Sequence, residues 1–262
     1  MKTAIPSRLS AFLLGGFVLL NVILAVGAMS SEPRGQRGVR VPFVGCASDG
    51  QTGPVPAPKG PERLVLIDAS AAQKLAYYEA EQGAGILAPR GWYCFGTYGS
   101  SGSNLFVTPQ PIKGDELLSA ARKRFTGPAI QFSAIEGDTS GRFAAARIIA
   151  RVFPVQKAFV QSVIEKGIEP ASSFPFGPYP KDKLIYKGDR IVEYQTAPHS
   201  EGLGTASWLQ ANDYPISGVA VLTGETPDVL ILHVRLPPDM SRLTSLIIRQ
   251  FERDNRGSPS DK

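Results

Sequence analysis

Cysteine and histidine are nearly absent, with two of each in the 262-residue chain. Two cysteines cannot staple a small disulfide-rich scaffold, so the fold must rest on a hydrophobic core. Two histidines, His199 and His233, with no H-x-x-x-H motif and no closely spaced cysteine pair, do not supply the three or four ligands a zinc site needs. Neither a metal nor a cofactor is expected. A long basic stripe is also missing. The densest basic stretch, ARKR at Ala121–Arg124, falls at a predicted helix end, where cations suit the carbonyl end of the helix dipole. With a formal net charge of only +5, nucleic acid is not an expected partner. The YGSSGSN stretch at Tyr98–Asn104 lacks the Lys-Ser/Thr ending of a phosphate loop.

What the chain does have begins at its N-terminus. Lys2 and Arg8 precede Ala11–Ala28, AFLLGGFVLLNVILAVGA, apolar except for Asn21 and closing on Val26-x-Ala28. Residues 1–28 therefore read as a secretory signal peptide cut after Ala28, with a single-pass membrane anchor as the alternative. The apolar run is about 18 residues, the short end of what spans a bilayer. Either way the two cations stay inside and the rest crosses, giving a periplasmic or extracellular protein that meets the membrane only through this segment. In that oxidising space Cys46 and Cys94 are expected to pair. Their bridge would close a loop of about 48 residues and contribute about 2–4 kcal/mol.

Residues 29–60 are rich in Gly and Pro and read as an irregular arm, with VPFVGC as one short apolar exception. Residues 61–253 read as a single α+β domain: a mostly antiparallel sheet of six to eight strands, packed with about five helices and one disulfide. Proline clusters between Pro170 and Pro180, a candidate sub-boundary at 168–182. Residues 254–262 read as a disordered tail. Ser70 is predicted to open a helix through AAQKLAYYEAEQG, closed by Gly83. Asp115 is a predicted cap for ELLSAARKRF, and Asp138, Thr139 or Ser140 for RFAAARIIARVF. Pro154 can start the next helix, and Asp239 can cap the last one.

The most suggestive polar stretch is TAPHSEGLGTASW, with His199, Ser200 and Glu201 in sequence. His199 and Glu201 share a face if the segment is extended, and an imidazole beside a carboxylate can move protons. Glu136 and Asp138 are the carboxylates expected to complete such a set. His233 alternates with Val229, Ile231 and Arg235 and reads as a sheet-face histidine. GDTSG at Gly137–Gly141 resembles the nucleophile loop of trypsin-like serine proteases over five residues, but Thr139 interrupts the motif and a helix follows at once.

GWYCFGTYGSSGSNLFVTP, Gly91–Pro109, concentrates aromatic and hydroxyl side chains. Alternation sets Trp92 with Cys94 inward and Tyr93 with Phe95 on the other face. Tyr93, Tyr98, Ser100, Ser101, Ser103 and Asn104 are the candidate binding residues. Phe174, Phe176 and Tyr179 form a second candidate surface. Without a complete catalytic set, the expected function is non-enzymatic: an exported envelope or secreted protein that binds another envelope protein or a cell-wall polymer. The alternative is an extracytoplasmic hydrolase using His199 and Glu201.

Overall fold

The structure, a computed structural model, describes residues 38–118 and 124–256. The expected signal peptide or anchor and the tail from residue 257 lie outside the described residues. In chain order the strands and helices begin with β1 (Val39–Val41), β2 (Phe43–Gly45), β3 (Ser48–Gly50), β4 (Arg63–Val65), α1 (Ala69–Ala72), β5 (Leu75–Glu79) and β6 (Ile86–Pro89). Then come β7 (Tyr93–Gly99), β8 (Gly102–Thr108), α2 (Gly114–Leu118), β9 (Ala129–Ile135), α3 (Arg142–Val152) and α4 (Lys157–Glu165). The chain closes with β10 (Asp182–Tyr186), β11 (Ile191–Thr196), β12 (Ile216–Thr223), β13 (Asp228–Arg235) and α5 (Thr244–Asn255).

The main sheet has eight strands in the order β10-β11-β12-β13-β9-β8-β7-β3. All its pairs are antiparallel except β3 with β7. A three-stranded sheet, β2-β5-β6, adds a second parallel pair, β2 with β5, and β1 pairs β4. The architecture is therefore α+β but mixed rather than purely antiparallel, and richer in sheet than in helix.

Period-two alternation gives the main sheet two apolar faces. Leu105, Phe132, Val219 and Leu232 pack with α5 and the β5–β6 hairpin in one core. Val192, Ala220, Val229 and Ile231 pack with α3 and α4 in the other. Phe174, 1 % exposed, belongs to this second core, so the proline-rich stretch is rooted in the fold; of its aromatic trio Phe176 is exposed. The described residues all fall in one compact unit, Gln36–Lys262.

Three expectations change. The described part of the 29–60 arm is irregular only from Gln51 onward, because Val39–Gly50 forms three short strands, one of them within VPFVGC. The helix expected over Ala71–Gly83 stops at Ala72, and Leu75–Glu79 is strand β5. LAYYE carries two adjacent aromatics that suit a pleated surface, and pairing with β2 and β6 overrides the helical spacing. Tyr78 is fully buried and its hydroxyl donates to the Pro89 carbonyl at 2.7 Å. The last helix begins as a tight 3-10 segment, Pro238–Leu243, before α5. Pro154 does start a new helical turn, and α4 follows it.

Cys46 and Cys94 are joined, with Cα atoms 5.4 Å apart, and no described cysteine is free. The bridge ties the N-terminal strands to β7 and fits an oxidising, extracytoplasmic setting. No described helix is long and apolar enough to cross a membrane.

Candidate functional site

The four residues expected to act in catalysis do not come together. His199 leaves the sheet just after Thr196, which pairs with Ile216, at the end where Arg235 pairs with Ala129. Glu136 and Asp138 follow Ile135, at the opposite end of the seven-residue β9. The two sets are separated by about 20 Å of strand. His199 instead meets Asp213, Nε2 to Oδ1 2.8 Å, with both side chains exposed. Its amide donates to the Asn212 carbonyl, and its φ of 51° is a left-handed value that histidine adopts more readily than most residues. This is a clasp between two surface loops. Glu201, Glu136 and Asp138 are exposed, and the cap expected near Asp138 is Gly141, whose amide donates to the Thr139 hydroxyl.

The candidate binding residues divide differently. Tyr93, 51 % exposed, stands at the far end of β7. The Tyr98 hydroxyl bonds Thr52 and the Gly53 carbonyl, so it anchors the arm. Ser100 bonds Ser140, Oγ to Oγ 3.0 Å. Ser101, Ser103 and Asn104 line a cleft of about 470 Å³ that also takes in Gln131, Ser133 and Ser207.

The floor of that cleft follows from strand register. Asn104 pairs with Ser133, and Phe106 with Gln131, which pairs with His233. All project toward the α3 face, and polar positions on it form a connected row. Gln131 Nε2 donates to Ser133 Oγ at 2.9 Å, Ser133 Oγ to Asn104 Oδ1 at 2.6 Å, and Asn104 Nδ2 to Thr97 Oγ1 at 3.2 Å. Gln131 and Ser133 are buried, and these bonds offset their desolvation. Each amide still holds a second N–H, so the row keeps donor capacity beyond its internal bonds.

One wall is held by a buried arginine. Arg235 is 1 % exposed and donates to the carbonyls of Phe125 (2.7 Å), Gly127 (2.6 Å) and Gln210. Burial lowers its pKa to about 10, so it remains charged at neutral pH. The clamp locks two segments that run parallel to each other, bridged at Phe125 and Leu209. There Phe125 N–H donates to Trp208 O at 2.8 Å, and Gln210 N–H to Phe125 O at 2.9 Å. Trp208 in turn packs edge-on against Phe106 at 5.3 Å and donates its amide to Gln131 Oε1. Arg124 and Trp208 both face the cleft from this wall.

His233 lies on the same face as the row but is sealed off. It is 3 % exposed, bonds the Tyr194 hydroxyl through Nδ1, and burial pushes its pKa down to about 3. It is a neutral core histidine. The cleft's signal was present in the sequence as AIQFSAI, where Gln131 and Ser133 interrupt one face of an otherwise apolar strand.

A second groove, about 780 Å³, runs between α5 and strands β10–β12. At one end Lys187 Nζ donates to Glu252 (2.8 Å) and to Glu193. Burial and the neighbouring Glu193 hold the Glu252 carboxyl above the usual range. Burial also opposes ionisation of Glu193, but its bonds with Glu252 and Lys187 outweigh that and leave it below the usual range. The cluster fastens α5 to the β10–β11 hairpin.

Comparison with protein families, curated proteins and solved structures finds no match for this chain. Its chemistry has to be read from its own residues. Among the described residues no cluster of three or more metal-ligating side chains occurs.

Proposed function

We propose that the protein is exported and works outside the cytoplasm as a binding protein of the cell envelope, holding a polyhydroxylated, saccharide-type ligand in the cleft over Asn104, Gln131 and Ser133. The observation that carries this reading is the lining of that cleft: amides and hydroxyls in a bonded row, with one arginine at the rim. Amide side chains donate and accept at once, which matches sugar hydroxyls that do the same. An apolar ligand would leave the second N–H of each amide without a partner. The Trp208 ring adds apolar surface beside them, the usual complement to a few placed polar groups. The leader-like N-terminus and the Cys46–Cys94 bridge support export. Acid–base chemistry at His199 and Glu201 has no comparable support, since their expected carboxylate partners leave the other end of the sheet.

The test is titration of the full chain with a panel of soluble oligosaccharides, read by the emission of its two tryptophans. At least one oligosaccharide should bind, and Asn104→Ala should weaken it about tenfold, the effect of losing one to two hydrogen bonds. The reading fails if no oligosaccharide binds or if Asn104→Ala binds as well as the parent. Intact mass of the exported protein shows whether the leader is removed.

A further inference from the structure

The two edges of the main sheet are built differently. At one edge β3 is three residues long, and its outer side is taken: Ser48 and Val55 exchange both backbone hydrogen bonds, at 3.0 and 2.7 Å. That is the covered, shortened edge expected of a protein that avoids strand addition. At the other edge β10 is five residues long and, among the described residues, has no strand beyond it. Lys187 N–H donates inward to Ile191 O, so alternation turns the N–H and C=O of Leu184 and Tyr186 outward. Both faces of this edge show apolar surface. Ile185 is 60 % exposed beside the large groove, and Tyr186 is 51 % exposed beside a hollow of about 250 Å³ formed with Pro154 and Val155.

We propose that β10 is a docking edge for an extended, acidic segment of a partner protein, which joins the sheet as a further antiparallel or parallel strand. The main-chain bonds would come from Leu184 and Tyr186, and alternate partner side chains would flank Ile185 on one face and Tyr186 on the other. Charge selects the occupant. Lys181 and Lys183 flank this edge and make no ion pair among the described residues, and Arg249 lines the groove behind them. Asp182, the acid between those lysines, is bonded inward by the Thr196 hydroxyl and the Leu203 amide, and counted in full it offsets only one of the two lysines. The Glu193 and Glu252 carboxylates are matched by two cations, Lys187 and Arg256. The edge therefore presents unmatched positive charge. A second copy of the chain is disfavoured, because it would bring the same excess of cations to the edge rather than acid, and in the register about Leu184 it sets Lys181 opposite Lys187. This surface goes beyond the saccharide cleft and does not depend on it.

The test uses the full, disulfide-intact chain and four probes: an end-blocked octapeptide of alternating glutamate and valine, its lysine–valine counterpart, a glutamate octapeptide, and vesicles rich in phosphatidylglycerol. The glutamate–valine peptide should bind and slow amide exchange at Leu184 and Tyr186. Lys183→Glu should weaken it about tenfold. Tyr186→Pro should abolish binding, because it removes an outward N–H while sparing the ladder to β11, whereas Tyr186→Ala should retain it. Equal binding of the lysine–valine peptide or of the glutamate octapeptide overturns the proposal, as does unchanged exchange at both amides. Binding to the vesicles with none to the glutamate–valine peptide assigns the charge to a membrane surface and overturns it too.

Discussion

His233 shows how burial turns a titratable residue into a stability element. Unfolded, its imidazole titrates near the usual 6.5; folded, burial lowers that to about 3. Between those values the unfolded chain holds the proton and the folded one does not. Stability from this residue is thus fully present above about pH 6.5 and drains away as the pH falls toward 3, at a limiting slope of about 1.4 kcal/mol per unit. Neighbours do not reverse this, since the Tyr194 hydroxyl bonded to Nδ1 is itself held neutral, burial having raised its pKa. Urea unfolding of the parent and of His233→Gln, compared at pH 7.5 and 4.5, should show the parent losing about 1–3 kcal/mol more on acidification. Equal losses would mean that His233 is protonated in the folded state. Arg235 makes the complementary point. The sequence placed it on the same face as His233, and only the fold reveals that its partners are the carbonyls of Phe125, Gly127 and Gln210, from residues more than twenty positions away.

At the scale of elements, β5 separates what local pattern determines from what pairing determines. Leu75, Ala76 and Tyr78 fit a helical stripe, yet β2 and β6 claim their backbone from either side. The Tyr78 hydroxyl then knits β5 to the turn before β7, donating to Pro89 O and accepting from Trp92 N at 3.1 Å. Tyr78→Phe should cost about 1–2 kcal/mol, because it removes the two shorter bonds and leaves that carbonyl and that amide only their long bond to each other, 3.4 Å. A chemical denaturation midpoint measures it; an unchanged midpoint would show that water replaces the hydroxyl. Strands with strong alternation, such as β9 through β13, were legible from the sequence because their faces meet two separate apolar cores. Of the short strands, β2 lies in the apolar run VPFVGC and β4 opens the run RLVLID, so both were legible; β1 and β3 were not, since three residues carry too little period and their partners are distant. The candidate cleft was half legible. Ser101, Ser103 and Asn104 announced a polar turn, but Gln131, Ser133 and Ser207 join them only through strand register and the Arg235 clamp.

At the scale of the whole molecule, the eight-stranded sheet is the frame and the Cys46–Cys94 bridge closes its β3 side. Residues 38–58 reach the rest of the fold through few paired positions: β1 on β4, β2 on β5 and β3 on β7. In the loop-entropy account the bridge removes freedom from the unfolded chain and contributes about 2–4 kcal/mol. Its loss should therefore act on this flank before it acts on the cleft, whose floor lies on β8 and β9 and touches neither cysteine. Replacing both cysteines by serine should lower global stability by about 2–4 kcal/mol. It should also speed amide exchange over 43–50 while leaving Asn104, Gln131 and Ser133 as protected as in the parent. A thiol reagent in denaturant should find no reactive group in the parent until it is reduced, and two afterwards. If exchange instead rises evenly across β8 and β9, the sheet and its N-terminal flank unfold as one unit, and the bridge stabilises the cleft as directly as it does the arm.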